Sequence, residues 1–169
     1  MKKITLIFIV LLSFQGSLWA KRYKFKLNPP FMIEQVRVAK QNTKFVKSWA
    51  TAKKADEAIV IAKQNVVAAA LFTGISPNYE MGAGVIPPLC SQGMNAYYDN
   101  KDYFDNFFKK GDFLNYILDV NSTYPIGENN LKTPEGRRVG VYLQLLYDDL
   151  RKKLINDKII KGLGDQFKY

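Results

Sequence analysis

Histidine is absent from this sequence of 169 residues, and cysteine occurs once, at Cys90. Without an imidazole the chain has no Ser-His-Asp triad, no Cys-His pair and no His-ligated metal. A single cysteine cannot form a disulfide within the chain, so the fold must be stabilised by its hydrophobic core. We therefore assign no catalytic residue, no cofactor and no metal ligand from the sequence.

The neighbours of Cys90 do not activate its thiol. Pro87, Pro88, Leu89 and Ser91 supply no cation, and a thiolate at neutral pH needs a nearby positive charge. We predict a partly buried, unreactive side chain, with pairing to a second molecule as the alternative.

The composition is that of one globular domain. Hydrophobic residues make up 47% and charged residues 24% of the 169 positions, and a domain usually contains about 100–200 residues. This balance of residue types excludes a disordered chain and a coiled coil, and the length argues against a multidomain enzyme.

The first twenty residues have the pattern of a secretory signal peptide. Lys2 and Lys3 precede an apolar run at residues 4–14, and the segment ends on the small residue Ala20. Polar residues interrupt the second half of this segment, whereas a membrane-spanning helix needs about 20 apolar residues, which argues against a membrane anchor. We predict cleavage after Ala20, export to the periplasm or surface of a bacterial cell, and no transmembrane span in the remaining chain.

Positive charge is concentrated in the first third of the exported chain. Residues 21–74 contain 11 Lys and Arg against 3 Asp and Glu, whereas residues 75–169 contain 12 of each kind. Export argues against nucleic acid as the target, and the chain has no zinc, helix-turn-helix or RNA-binding pattern. An acidic polymer, anionic lipid headgroups or an acidic envelope protein are the expected targets.

Residues 21–42 form a basic N-terminal arm ahead of the domain. Tyr23, Phe25 and Leu27 alternate with cations, and this period of two predicts a short strand or an extended segment. We predict that the arm binds a partner or polyanion through the cations at its start: Lys21, Arg22, Lys24 and Lys26.

A long helix is the clearest element that the sequence predicts. Within residues 52–73, Ala55, Ala58 and Ala62 recur at spacings of three and four, which places them on one helix face. Gly74 is the expected end of the helix. Small side chains on that face let the helix pack closely on a sheet.

The other elements complete an α+β fold, with a small, mainly antiparallel sheet and two or three helices on one face. Residues 75–95 contain three glycines and three prolines and form a long loop, a kind of segment that is often functional. Further predictions are strands at 43–49, 113–120 and 139–145, a turn region at 121–136, helices at 99–110 and from 148 onward, and either helix or strand at 32–37. Together, residues 43–169 are predicted to be a single domain.

Two segments carry a resemblance to a known family: Trp49-Ala50-Thr51-Ala52 at the end of a strand, and the helix from Ala55-Asp56-Glu57-Ala58 to Ala62-Lys63-Gln64-Asn65-Val66-Val67. With the later strand, they resemble the small α/β domain at the N-terminus of flagellar T-ring proteins and related exported bacterial lipoproteins. The resemblance covers roughly residues 43–74 and 113–147, and it rests on helix spacing and element order. It implies a non-catalytic module of an envelope assembly. Cys90 is far from the predicted cleavage site, so the lipid anchor of the lipoproteins is not carried over. The sequence also lacks the further domains of a T-ring protein, so a flagellar role is not carried over either.

Aromatic residues are dense between positions 97 and 116, where eight occur. The phenylalanines are expected in the core. Tyr97 and Tyr98, which follow the Gly/Pro loop, are predicted to form a platform for a ligand such as a glycan or a peptide.

These observations predict a non-enzymatic, exported accessory protein that binds another component of the cell envelope or cell surface through the basic arm and the loop at 75–95. One alternative is a hydrolase of cell-wall glycan or peptidoglycan that uses Asp148, Asp149 or Glu128, because glycoside hydrolysis needs a pair of carboxylates. Another is a glycan- or peptide-binding module built on the tyrosine pair.

Overall fold

The computed structural model describes residues 22–37, 43–121 and 123–162. Its strands are β1 (Met32–Arg37), β2 (Lys44–Ala52), β3 (Ile117–Asp119), β4 (Asn130–Thr133) and β5 (Gly136–Leu145). Its α-helices are α1 (Ala55–Ala68), α2 (Met94–Asp99), α3 (Lys101–Lys110) and α4 (Tyr147–Asn156). The strands pair antiparallel in the order β1-β2-β5-β3, and β4 pairs with β5 beside β3. The predicted α+β fold is confirmed.

β5 is the central strand, and its alternating sequence explains its position. Val139, Val141, Leu143 and Leu145 are all buried at 7% exposure or less, and they face the helices. The residues between them lie on the opposite face of the sheet, because successive side chains of a strand point to opposite sides. We call this second side the open face.

The helix α1 packs on β2 and β5 through its alanines. Ala58 and Ala62 are fully buried, and their small size lets the helix axis lie close to the sheet. The helix continues as one π-helical turn, Ala69–Thr73, and stops at Gly74, which has a φ of 73°. A Cβ at Gly74 would lie 2.7 Å from the Ile86 carbonyl oxygen, so both conformation and space require glycine at this predicted helix end.

The buried rings of α2, α3 and the segment that follows them form an aromatic layer, which consists of Tyr97, Phe104, Phe107, Phe108 and Phe113. The sequence predicts one helix at 99–110, whereas the structure has two helices separated at Asn100, whose φ of −123° is not helical. Phe104, Phe108 and Phe113 are fully buried, as expected for the phenylalanines of this segment. Gly111 ends α3 in a left-handed conformation.

Two further elements differ from the sequence prediction. The strand predicted at 113–120 is a 3-10 helix, Asp112–Tyr116, followed by the three residues of β3. Phe113 and Ile117 both face the core, whereas Asn115, which would share their side in a strand, is exposed. This pattern fits a helical turn and not a strand. β4 lies within the region that the sequence predicts as a turn. Its only large apolar residue, Leu131, is 43% exposed, so β4 has no buried apolar side that would mark it as a strand in the sequence.

Side-chain hydrogen bonds hold the loop at 75–95 against β1. Gln35, itself 5% exposed, donates through Nε2 to the carbonyl oxygens of Ser76 at 2.8 Å and Gly84 at 2.7 Å. In the other direction, Asn78 donates a hydrogen bond through Nδ2 to the Gln35 carbonyl oxygen at 2.7 Å. The last two residues of this segment begin α2.

In the described part of the chain, none of the helices has both the length and the apolar character needed to cross a membrane.

Candidate functional site

The first part of the predicted basic arm, residues 22–27, is an extended segment that lies against the aromatic layer, whereas residues 32–37 of the predicted arm form β1 of the sheet. We therefore keep the name basic arm for residues 22–27. In residues 22–27 the cations are exposed, and the apolar side chains between them are partly buried. Phe25 stacks on Phe108, with ring centroids 3.8 Å apart. Tyr23 meets Phe113 edge to face at 5.7 Å. The alternation therefore divides the arm into an anchoring side and a charged side.

Backbone contacts fix the path of the arm between α1 and α3. The Tyr23 amide donates to the Lys109 carbonyl at 2.8 Å. Gln64, which is 3% exposed, donates through Nε2 to the Lys24 carbonyl at 3.0 Å. A Cβ at Gly111 would lie 2.6 Å from the Tyr23 ring, so this helix end also makes room for the arm.

The charged side of the arm borders an open groove of about 540 Å³ against α1. Arg22, Lys24 and Lys26 line the groove on one side, and Asp56 and Glu57 belong to the α1 side. Lys21, the remaining predicted cation, lies outside the described residues. The structure thus brings three of the four predicted binding cations to one groove.

The open face of the sheet contains a cation between two aromatic rings, which the sequence prediction missed. The Lys47 ammonium lies 4.5 Å from the Trp49 ring centroid and 4.8 Å from that of Tyr142. Lys47 is 8% exposed. Because a buried ammonium loses hydration, two aromatic faces offer partial compensation, about 0.5–2 kcal/mol each.

Two further cations lie over rings on the same face. The Arg37 guanidinium is 3.6 Å from the centroid of the Phe45 ring, and that of Arg138 is 5.1 Å from the Trp49 ring. Trp49 lies over Gly140, where a Cβ would be 2.8 Å from the ring. The sequence did contain an indication of this face. Phe45, Lys47 and Trp49 alternate along β2 with the residues that face the core, so they share the other side of the strand.

The two tyrosines of the predicted platform have different environments. Tyr97 is 8% exposed, and its hydroxyl donates to Asp105 Oδ1 at 2.7 Å, whereas Tyr98 is 64% exposed. Burial, followed by the bond to Asp105, raises the pKa of Tyr97. The structure therefore places one ring of the pair in the core and leaves the other in solvent.

Asp105 accepts hydrogen bonds from three donors, of which Tyr97 joins α2 to α3. Lys101 and Lys109 approach its Oδ2 at 2.7 and 2.8 Å, in addition to Tyr97. Desolvation raises the pKa of Asp105, but these three hydrogen bonds outweigh it and hold the pKa well below its usual range. This carboxylate is a structural anion, and both of its oxygens already accept hydrogen bonds.

The thiol of Cys90 is 2% exposed. Its amide donates to the Leu71 carbonyl at 3.0 Å, which fixes the loop to the end of α1. Burial raises the pKa of the thiol to about 11. At neutral pH the side chain is therefore a protonated apolar group, since only the thiolate is nucleophilic.

The carboxylates considered for hydrolysis lie on different elements. Asp148 and Asp149 are in the first turn of α4, after the end of β5. Asp149 pairs with Lys152 at 3.3 Å, and both side chains are more than half exposed. Glu128 lies in the short helical turn that precedes β4, beside the first half of β5. Among the described residues, no three His, Cys, Asp or Glu side chains form a group that could hold a metal ion.

Comparison of the chain with known protein families, with curated proteins and with solved structures gave no match in any of the three cases.

Proposed function

We propose that this chain is an exported, non-enzymatic accessory protein that binds another component of a bacterial cell envelope or cell surface through its basic arm. The observation that carries the proposal is the division of the arm into two sides. Tyr23, Phe25 and Leu27 pack on the domain, while Arg22 and the lysines beside it face water.

An arm fixed in this way presents its charges with little loss of freedom on binding. Alternate residues of an extended chain are about 7 Å apart, so the three cations form a row along the groove. Because the backbone is already ordered by Gln64 and Lys109, the entropy cost of binding is smaller than for a free tail. A row of this kind suits a protein or polymer surface with repeated negative charge.

The loop at 75–95 offers a second, apolar contact. Tyr79, Met81 and Val85 are 84%, 50% and 63% exposed. Exposed apolar side chains that lie close together in a chain often mark a surface for another protein. We therefore include this loop in the proposed binding surface.

Export is tested with a fusion to alkaline phosphatase, which is active only where its disulfides form. The reporter is fused after residue 30, with and without residues 2–20. We expect activity only with the intact N-terminus. Equal activity of both fusions, or inactivity of both at equal expression, would contradict export.

Binding is tested by sedimentation of the chain from residue 21 with cell envelopes of the organism that encodes it. Deletion of the arm is unsuitable, because it would expose the aromatic layer. The variant is therefore Arg22→Gln with Lys24→Gln and Lys26→Gln. We expect at least about a tenfold loss of bound protein, and a similar loss for the wild type at high salt, because salt screens exposed charges.

The matched control removes the same charge from exposed lysines elsewhere: Lys132→Gln, Lys152→Gln and Lys161→Gln. This control is expected to bind like the wild type. Equal binding of the arm variant and the control would show that the arm is only a solvated surface, and it would overturn the proposal.

A further inference from the structure

We propose that the partner is a linear acidic polysaccharide, which lies on a basic track that joins the open face of the sheet to the arm. This inference rests on the proposed function, because the arm forms one end of the track. The track contains six cations, in the order Arg37, Lys47, Arg138, Lys26, Lys24 and Arg22.

The strand register sets the spacing of the first half of the track. Arg37 of β1 lies opposite Phe45 of β2, and Arg138 of β5 lies opposite Thr51 of β2. Lys47 lies between these two positions on β2. From position 45 to position 51 a strand rises about 20 Å, so the backbone positions of the three cations follow a diagonal of about that length across the open face. The Lys47 and Arg138 charges converge on the Trp49 ring.

The second half of the track begins at Lys26. A depression of about 250 Å³ is lined by Arg138, Trp49 and Lys26, and it lies where β2 extends past β1. Lys26 also lines the 540 Å³ groove of the arm, together with Lys24 and Arg22. The depression and the groove therefore meet at this residue.

Acidic side chains of the described residues neutralise the positive charge of the track only in part. None of the six cations takes part in the ion pairs found there. Lys47 combines this lack of a counter-ion with an exposure of only 8%, so an anion from outside would compensate a desolvated charge. The nearest acid in the strand register is Glu34, opposite Lys47.

Two acidic residues reduce the charge at the far end. Asp56 and Glu57 line the arm groove from α1. The Asp56 carboxylate already accepts a hydrogen bond from the Tyr124 hydroxyl at 3.0 Å. The strongest uncompensated field is therefore expected between Lys47 and Lys26.

The course of the track selects among polyanions. It begins on the open face and ends on the helix side, where the arm packs on α3. A flat membrane can contact one of these sides, whereas a flexible polymer can follow the turn. Beside the cations of the depression lies the apolar side chain of Met32, which is 54% exposed and suits the CH face of a sugar ring. An acidic sugar polymer offers both an anionic group and an apolar ring face in every repeat.

The test uses polygalacturonate oligomers of defined length and calorimetric titration of the chain from residue 21. The fully methyl-esterified oligomer of equal length is the matched ligand without charge. We expect binding of the acidic form only, and at least tenfold tighter binding by oligomers long enough to reach both halves than by short ones. Equal binding of the esterified oligomer would overturn the inference.

Two variants separate the halves of the track. Lys47→Met keeps the aliphatic stem, and Arg138→Gln changes a partly exposed side chain, so the second remains informative if the first fails to fold. Each variant that circular dichroism shows to be folded should bind the acidic oligomer about tenfold more weakly than the wild type and should lose much of the preference for long oligomers. Glu34→Gln should bind at least as tightly as the wild type. Wild-type affinity in both cation variants would overturn the inference.

Other polyanions provide the remaining outcomes. Poly-glutamate of matched length and vesicles containing phosphatidylglycerol are titrated in parallel, and tighter binding of either would replace the polysaccharide as the partner. If the arm variant still loses its binding to envelopes while no acidic sugar binds, the proposed function stands and this inference fails. If the arm variant sediments like its control, the proposed function fails first.

Discussion

At the residue scale, Gly140 sets the position of the aromatic ring on the open face. A Cβ at position 140 would lie only 2.8 Å from atoms of the Trp49 ring. We predict that Gly140→Ala displaces the ring and lowers the free energy of unfolding by about 1–3 kcal/mol, as overpacking does elsewhere. The chain from residue 21 retains Trp49 as its only tryptophan of the two in the sequence, so its fluorescence spectrum should shift as well.

The control for this prediction is Gly84→Ala. A Cβ at position 84 would meet nothing within 4 Å, so the unfolding free energy should change by less than about 0.5 kcal/mol. Urea unfolding of both variants provides the comparison. Equal stability of the two would show that Trp49 adapts without cost and that Gly140 does not fix it.

Asp105 should make the fold sensitive to acid. Its pKa is lowered in the folded state by Lys101, Lys109 and Tyr97, against the effect of desolvation. A lowered pKa contributes stability above the unfolded-state value of about 3.9, and that contribution is lost as pH falls toward the folded-state value. We predict that Asp105→Asn is less stable than the wild type at pH 7 and that the difference narrows below about pH 4.

The measurement is urea unfolding at a series of pH values from 7 down to the acid limit of the fold. Asp157, whose pKa is lowered by hydrogen bonds from Lys153 and Tyr103, has the same sign of effect, so the variant should retain part of the acid loss. Parallel stability curves for wild type and Asp105→Asn would contradict the assigned role.

At the element scale, the arm belongs to the domain because of its aromatic side. Phe25 stacks on the buried Phe108, and the full burial of a phenylalanine contributes about 1.5–3 kcal/mol. We predict that Phe25→Ala lowers the unfolding free energy by about 2 kcal/mol, whereas Lys24→Gln changes it by less than about 0.5 kcal/mol. Urea midpoints measure both, and equal effects would mean that the arm is not docked.

Elements that bury an apolar face were predictable from sequence, and those that depend on a partner strand were not. The alanine spacing of α1 and the alternation of β5 each follow from one period, and Gly74 marks the end of the long helix. β4 has no such signal, because its place is set by pairing with β5. The break at Asn100 likewise reflects the packing of two helices on one aromatic layer.

The candidate site was predictable to a similar degree. The arm was visible because its cations and apolar residues alternate within six positions. The cations of the open face lie on three different strands, so only the strand register brings Arg37, Lys47 and Arg138 together. The hydrophobic pattern of each strand indicates its buried face, but it does not show that β5 is the neighbour of β2 in the sheet.

At the scale of the whole molecule, a domain without a disulfide in the described residues depends on cooperative packing. Its core is continuous from the sheet through α1 to the aromatic layer. Cys90 lies inside this core, between the end of α1 and α2. A thiol reagent can therefore reach the sulfur only when the core opens, which makes the labelling rate a measure of global stability.

We predict that Cys90 is protected at pH 8 in the folded chain and becomes reactive in urea in step with unfolding. Burial raises its pKa to about 11, so about one thiol in a thousand would be ionised at pH 8 even without steric protection. The control is Cys90→Ala combined with Ser91→Cys, because the adjacent side chain at position 91 is exposed. The control should react at once in native buffer. Rapid labelling of the wild type without urea would show that the loop opens independently of the core, and it would remove the single-core account of this fold.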